Sequence, residues 1–208
     1  MARRKKSKRR PRSISSFSRR PGKRQPRKYV LIVCGGTETE PNYFCSLRHE
    51  LRLGSVVVQV EGIGRDPGNV VSRAIKTART DGFDEIWCVL DVENPHENPS
   101  FYPAMCRARK HKLELAVSNP AFEYWYLLHF KETDRPFGSA SQAIEALKEF
   151  IPDYEKSSDV FAILFEHTDI AIKRAERILA NHPDADQDFP NPSTLVFKLI
   201  KSLKDMSN

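Results

Sequence analysis

The stretch YVLIVCGGTETEPNYF, residues 29–44, decides the fold class of this chain. Its first part, Tyr29–Cys34, is a continuous apolar run, which is typical of a strand buried on both faces of a parallel sheet. Gly35 and Gly36 end this run, and Thr39 is placed to cap a helix. The stretch therefore predicts a strand, a tight turn and a helix.

The alternation of strands and helices continues along the chain. Further apolar runs predict strands at Val56–Val60, Glu85–Leu90 and Leu113–Val117. Helices are expected over 69–81, over 101–111, from Pro120 to Phe130, within 140–181, and from Pro192 onward. This order is typical of a mostly parallel α/β sheet with right-handed crossovers, here with additional C-terminal helices.

The charges are distributed unevenly. The net charge is +7, yet 14 of the 34 Lys and Arg residues lie in residues 1–28, which hold none of the 27 acids. Such a segment cannot offset its ordering entropy, so we expect a disordered basic tail, 1–28, before one α/β domain, 29–208. The tail is expected to bind nucleic-acid backbone without reading sequence. Its first cations are Arg3, Arg4, Lys5, Lys6, Lys8, Arg9 and Arg10.

The sequence contains no apolar run of about 18 residues that could span a membrane. The N-terminus also lacks the apolar stretch of a secretory signal. We therefore expect a cytoplasmic protein with no membrane contact. Whether the chain forms a homo-oligomer is left open.

Ligands of open parallel sheets bind outside the carboxyl ends of the strands. Asp91 and Glu93 follow such an end and, in extended chain, would face the same side. Two carboxylates about 4 Å apart repel by roughly 4 kcal/mol at an effective dielectric near 20, and a divalent cation removes that cost. From spacing alone, a metal site and a solvated acidic turn are equally good interpretations.

Two other strand ends also carry polar side chains. Glu38 and Glu40 lie where a helix begins, and acids there complement the helix dipole, so capping is the simpler interpretation. Asn119 and Glu123 precede an aromatic-rich helix, where a buried acid would need a metal or a base as partner. The aromatic stripe of this helix is expected to be core.

Taken together, these segments resemble the RloB-like family of bacterial phage-defence proteins, which look like relatives of Toprim enzymes. The resemblance covers about residues 28–205 and rests on residues 29–44, Asp84–Glu93 (DEIWCVLDVE), Ser118–Phe130 (SNPAFEYWYLLHF) and Asn191–Leu203 (NPSTLVFKLIKSL). It implies a Toprim-like sheet, phosphodiester hydrolysis dependent on Mg²⁺ or Mn²⁺, a role in abortive infection, and an AAA-type ATPase partner.

One position departs from the Toprim pattern, which places a glutamate immediately before the glycine that follows the first strand. That position here is Gly35. The resemblance carries metal-binding and catalytic roles to Asp91, Glu93 and Glu40, with Glu38 as a local catalytic substitute. It assigns the lining of the crevice to Gly35, Gly36, Asn119 and Glu123.

Two functional hypotheses follow from this departure. The chain is either a metal-dependent nuclease, or a catalytically impaired Toprim-like subunit that binds nucleic acid or regulates a defence complex. A receiver-like phosphoacceptor at Asp91 fits the Gly-Gly turn less well.

Overall fold

The computed structural model describes residues 28–60, 66–182 and 188–207. Most of the predicted tail, including its seven named cations, therefore lies outside the described residues. The strands are β1 (Val30–Cys34), β2 (Val56–Val60), β3 (Glu85–Asp91), β4 (Glu114–Asn119) and β5 (Ser193–Thr194). The helices in the described ranges are α1 (Thr39–Glu50), α2 (Pro67–Ala78), α3 (Phe101–Lys110), α4 (Glu123–Phe130), α5 (Ala140–Lys148), α6 (Phe161–Phe165), α7 (Thr168–Ala180) and α8 (Val196–Ser207).

The strands form one sheet in the order β2-β1-β3-β4-β5. Strands β1 to β4 are parallel and β5 runs antiparallel to β4, which confirms a mostly parallel α/β sheet flanked by helices. The chain passes from β1 to β2 on one side and from β3 to β4 on the other. The topological switch point, where ligands of such sheets bind, therefore lies between the carboxyl ends of β1 and β3.

The core explains why the four predicted strands form where the sequence indicates. All five residues of β1 are buried, as expected for a strand covered on both faces. The aromatic stripe of α4 is also core, with Trp125 and Tyr126 buried. His129 donates from Nδ1 to the Trp125 carbonyl at 2.9 Å, and burial lowers the pKa of His129 to about 4, so it is a neutral core histidine. In the described part of the chain, the helices are too short or too polar to cross a membrane.

Helix starts were predicted less accurately than strands. Helix α2 begins at Pro67 because Asp66 caps it, accepting from the Asn69 backbone N–H at 3.1 Å. Thr39 was wrongly predicted as a cap, since it is the first residue of α1 and its hydroxyl faces Glu123. Helix α4 starts at Glu123 rather than at Pro120.

The prediction that Pro192 begins the last helix was also wrong. Ser193–Thr194 instead pairs with the end of β4 as strand β5, and α8 starts at Val196. A two-residue strand has no hydrophobic period to detect, because it is formed by its tertiary partner. The Ser118 and Thr194 hydroxyls, 2.9 Å apart, join the two strands.

Candidate functional site

A small cavity opens at the carboxyl edge of the sheet, where β1 and β3 end. Its lining comes from four separate parts of the chain: Gly36, Thr37, Glu38, Thr39, Glu40, Asp91, Glu123 and Lys156. We call it the acid cavity. Its volume of about 20 Å³ leaves room for roughly one water molecule or ion.

Asp91 is the last residue of β3, paired in register with Ser118 of β4. Its Oδ1 atom is enclosed and has no hydrogen-bond partner. Burial raises the pKa of Asp91 well above its ordinary value of 3.8, and the charges of Glu40 and Glu123 raise it further. A hydrogen bond from the Phe122 backbone and the charge of Lys156 oppose this rise. Ionised Asp91 is therefore costly until a cation approaches it.

Glu123 is held by only one of its two carboxylate oxygens. The side chain is 1% exposed, and its Oε1 atom accepts a hydrogen bond from the Tyr154 hydroxyl at 3.1 Å. The Thr39 hydroxyl lies 3.5 Å from the same oxygen. The Oε2 atom has no partner, so Glu123 is fixed in place with an acceptor left open.

Glu40 lies buried in the first turn of α1, beside the Gly-Gly turn. A Cβ atom on Gly36 would lie 2.1 Å from Glu40 Oε2, so the glycine leaves the space that this carboxylate occupies. Gly35 differs, because a Cβ there would make ordinary contacts at 3.5 Å with Val70 and Leu90. Position 35 thus projects into the packing against α2, whereas position 36 projects toward the acid-cavity carboxylate of Glu40.

Glu38 occupies the cap position of α1, but its side chain makes no capping hydrogen bond. It is exposed and lines the acid cavity. Glu38 and Glu40 thus both lie at the start of α1, where acids complement the helix dipole as predicted, and both also line the acid cavity.

Sequence reasoning missed Tyr154 and Lys156. Both belong to the segment between α5 and α6, in a region where no motif was recognised. Tyr154 is buried against Glu123, and Lys156 is the one cation among the described residues that line the acid cavity. A single Tyr or Lys in a polar loop carries no local signal, and only the fold brings this loop to the sheet edge.

The structure does not bring Glu93 into the acid cavity. Val92 still bonds to the Ser118 carbonyl at 2.9 Å, but the chain bends at Glu93, so the extended geometry behind the prediction ends there. Glu93 is exposed, and its Oε1 accepts from the Ala140 backbone N–H at 3.1 Å.

Glu93 instead lines a neighbouring space of about 270 Å³, which we call the outer cavity. The outer cavity is lined by Glu93, Asn94, Pro95, His96, Glu97, Asn119, Asp188, Phe189, Pro190 and Asn191. Asn119 is buried there and donates from Nδ2 to the Phe189 carbonyl at 2.7 Å. Of the predicted site residues, Glu38, Glu40, Asp91, Glu123 and Gly36 thus meet in one cavity, while Glu93 and Asn119 lie in the other.

The donors of the acid cavity are chemically suited to a hard divalent cation. They are carboxylates, and two of their oxygens have no hydrogen-bond partner. Within the described residues, no three His, Cys, Asp or Glu side chains converge closely enough to hold a metal ion by themselves. Mg²⁺ usually needs only one or two carboxylates, because it keeps several waters and binds substrate phosphates.

Comparison with known proteins gives one match. Neither the curated proteins nor the solved structures contain a match to this chain. The family model described as RloB-like protein matches residues 30–203, a span that includes every residue of the acid cavity. The chain therefore belongs to the RloB-like protein family.

Proposed function

We propose that this protein is a divalent-metal-dependent nuclease of bacterial antiphage defence, and that its acid cavity hydrolyses phosphodiester bonds. The observation that carries the proposal is that Glu40, Asp91 and Glu123 all line one space of about 20 Å³. Like charges close together in a poorly hydrated site repel by several kcal/mol, as about 4 kcal/mol for a 4 Å separation illustrates. A cation that also binds phosphate would remove this cost.

Each residue of the acid cavity has a role in this proposal. Asp91 and Glu40 would hold Mg²⁺ or Mn²⁺, which when bound neutralises phosphate charge and makes a water molecule more acidic. Glu123, fixed by Tyr154, would orient that water through its open Oε2 atom. Glu38, exposed beside them, would accept the proton.

A second candidate is a catalytically impaired subunit that binds nucleic acid or regulates a defence complex. It is favoured by glycine at position 35 and by the location of Glu93 outside the acid cavity. The position of Glu40 favours the nuclease, since its carboxylate fills the space beside Gly36. In either case we propose DNA or RNA and an AAA-type ATPase as partners, in the cytoplasm.

The two candidates are separated by a cleavage assay on the purified full chain. Labelled DNA and RNA are incubated with Mg²⁺ or Mn²⁺, then with EDTA, for wild type, Asp91→Asn and the outer-cavity control Glu97→Gln. We expect cleavage that EDTA and Asp91→Asn abolish and that Glu97→Gln retains. Binding without cleavage, also after addition of the ATPase, would contradict the nuclease and support the second candidate.

A further inference from the structure

Helices α2 and α3 pack side by side and carry an unusual set of charges. Neither helix contains an Asp or Glu, and together they hold five cations: Arg73, Lys76, Arg107, Arg109 and Lys110. All five are exposed. Arg79 directly follows α2, Lys112 is the second residue after α3, and both are exposed as well. We call these seven residues the α2–α3 basic face.

The basic face contrasts with the rest of the folded domain. The 180 residues after Lys28 hold 20 basic and 27 acidic residues, so the background is acidic. On α7 and α8, three cations are paired with acids: Arg177 with Glu132, Lys201 with Glu176 and Lys204 with Asp169. Among the described residues, Arg73, Lys76 and Lys110 make no ion pair.

Arg107 draws the charges of the two helices together. Its guanidinium reaches across from α3 and donates to the Gly68 carbonyl at 3.0 Å and to the Ser72 hydroxyl. Arg107 therefore carries positive charge from α3 onto the first turns of α2, the helix on which Arg73 and Lys76 are exposed. Like charges on neighbouring helices repel one another, and a polyanion relieves that repulsion.

Helix α2, which carries the first cations of the basic face, starts at the same edge of the sheet at which the acid cavity opens. This is the carboxyl edge of the sheet, and Val70, in the first turn of α2, lies next to the Gly35 backbone. The cations then follow α2 away from that edge at about 1.5 Å per residue. A chain of phosphates lying along α2 would therefore lead toward the sheet edge at which the acid cavity opens.

We propose that the α2–α3 basic face binds the phosphate backbone of nucleic acid and directs it to the acid cavity. This inference deepens the proposed nuclease function. The direction in which the substrate is led rests on that function, whereas the binding of nucleic acid to the basic face does not depend on it. Among the described residues, the large exposed apolar side chains are Tyr29, Phe150, Ile163 and Ile170, and none belongs to α2 or α3. Membrane-surface helices need such anchors, while phosphate backbones need only cations.

The test measures the salt dependence of binding, with the full chain in EDTA so that cleavage does not interfere. The variant Arg73→Gln/Lys76→Gln/Lys110→Gln removes three cations that make no ion pair with described residues. The control Arg177→Gln/Lys201→Gln/Lys204→Gln removes the same charge from the ion-paired surface of α7 and α8. The probes are a short labelled DNA duplex, a single-stranded RNA and anionic lipid vesicles.

For the basic-face variant, the slope of log K against log salt should fall by about 2–3 units for duplex DNA, since each phosphate contact contributes about 0.9. Its affinity at about 0.1 M salt should fall roughly tenfold or more. The control should keep a slope within about one unit of wild type. Should the triple variant fail to fold, single substitutions are expected to lower the slope by about 0.9 each.

Equal slopes for the two triple variants would overturn the proposal. A loss confined to vesicle binding would overturn it in favour of a membrane surface. The wild-type chain could fail to cut any substrate while the basic-face variant still loses salt-dependent binding. That result would support nucleic-acid binding by the basic face and contradict the nuclease proposal.

Discussion

The acid cavity and the outer cavity lie side by side at the same sheet edge, and both are lined by acids. In the outer cavity Glu93 and Glu97 are exposed and hydrogen-bonded, Glu93 to Ala140 and Glu97 to Asn94. In the acid cavity Asp91 and Glu123 each keep an enclosed oxygen without a partner. The difference teaches that ionisable carboxylates with buried, unpartnered oxygens, rather than the number of acids, distinguish the candidate site from the outer cavity.

The comparison is tested most severely by substituting one acid in each cavity. Glu40→Gln removes a proposed metal ligand, so we expect metal-dependent cleavage to fall by about 100-fold or more, beyond the 10–100-fold typical of outer-shell changes. Glu93→Gln should leave the rate within a few-fold of wild type, because Glu93 lies outside the acid cavity. Cleavage rates at saturating Mg²⁺ check both. Equal losses would place the chemistry in both cavities.

The next largest effect concerns the two glycines of the turn. Gly36→Ala forces the flexible Glu40 carboxylate aside, so cleavage should fall about 10- to 100-fold, as expected for a misplaced catalytic group. The melting temperature should change little, because only the end of a side chain must move. Gly35→Ala, whose Cβ would make ordinary contacts, is the matched control and should remain active. A reversed order of activity would show that position 35 is the one facing the cavity.

A third prediction concerns the hydroxyl group of Tyr154, which donates to Glu123 in the acid cavity. Tyr154→Phe removes this donor. We expect a loss of about 1–3 kcal/mol in the free energy of unfolding, the usual cost of an unsatisfied buried acceptor, together with slower cleavage. Tyr124→Phe breaks a similar bond from a buried hydroxyl to the Thr133 carbonyl, and neither Tyr124 nor Thr133 lines the acid cavity. It should lower stability without slowing cleavage. Urea unfolding measures the stability of both variants, and cleavage rates measure their activity. Full activity in both variants would contradict the prediction.

The smallest expected effect is on stability against pH. Between the ordinary pKa of 3.8 and the raised pKa of Asp91, the folded state binds a proton that the unfolded state has lost. Metal-free stability should therefore fall as pH rises through this window. Asp91→Asn should weaken that dependence and, above the window, raise the unfolding free energy by about 1 kcal/mol, or about 2–4 °C in melting temperature.

Thermal unfolding in EDTA across the pH range measures this difference. Glu93→Gln is the control and should follow wild type, because its carboxylate is exposed. If the stability of wild type and of Asp91→Asn changed with pH in the same way, ionised Asp91 would not destabilise the metal-free fold. That result would contradict the argument for a cation at this site.

The sheet was predictable because its signals are local. Runs such as Val30–Cys34 and Glu85–Leu90 are apolar throughout, and the structure places all four predicted strands within two residues of their expected bounds. Strand β5 was not predictable, since Ser193–Thr194 becomes a strand only by pairing with Ser118 and Asn119.

The sequence by itself determined the class of fold and the edge of the sheet at which the acids lie. Buried strands and the turns that end them are specified by residues that are adjacent in the sequence. Only the tertiary structure decided which acids meet. A bend at Glu93 separates it from Asp91, and the segment after α5 brings Tyr154 and Lys156 to Glu123 and Asp91. Convergence of this kind depends on packing between residues far apart in the chain, where spacing along the sequence carries no information about distance.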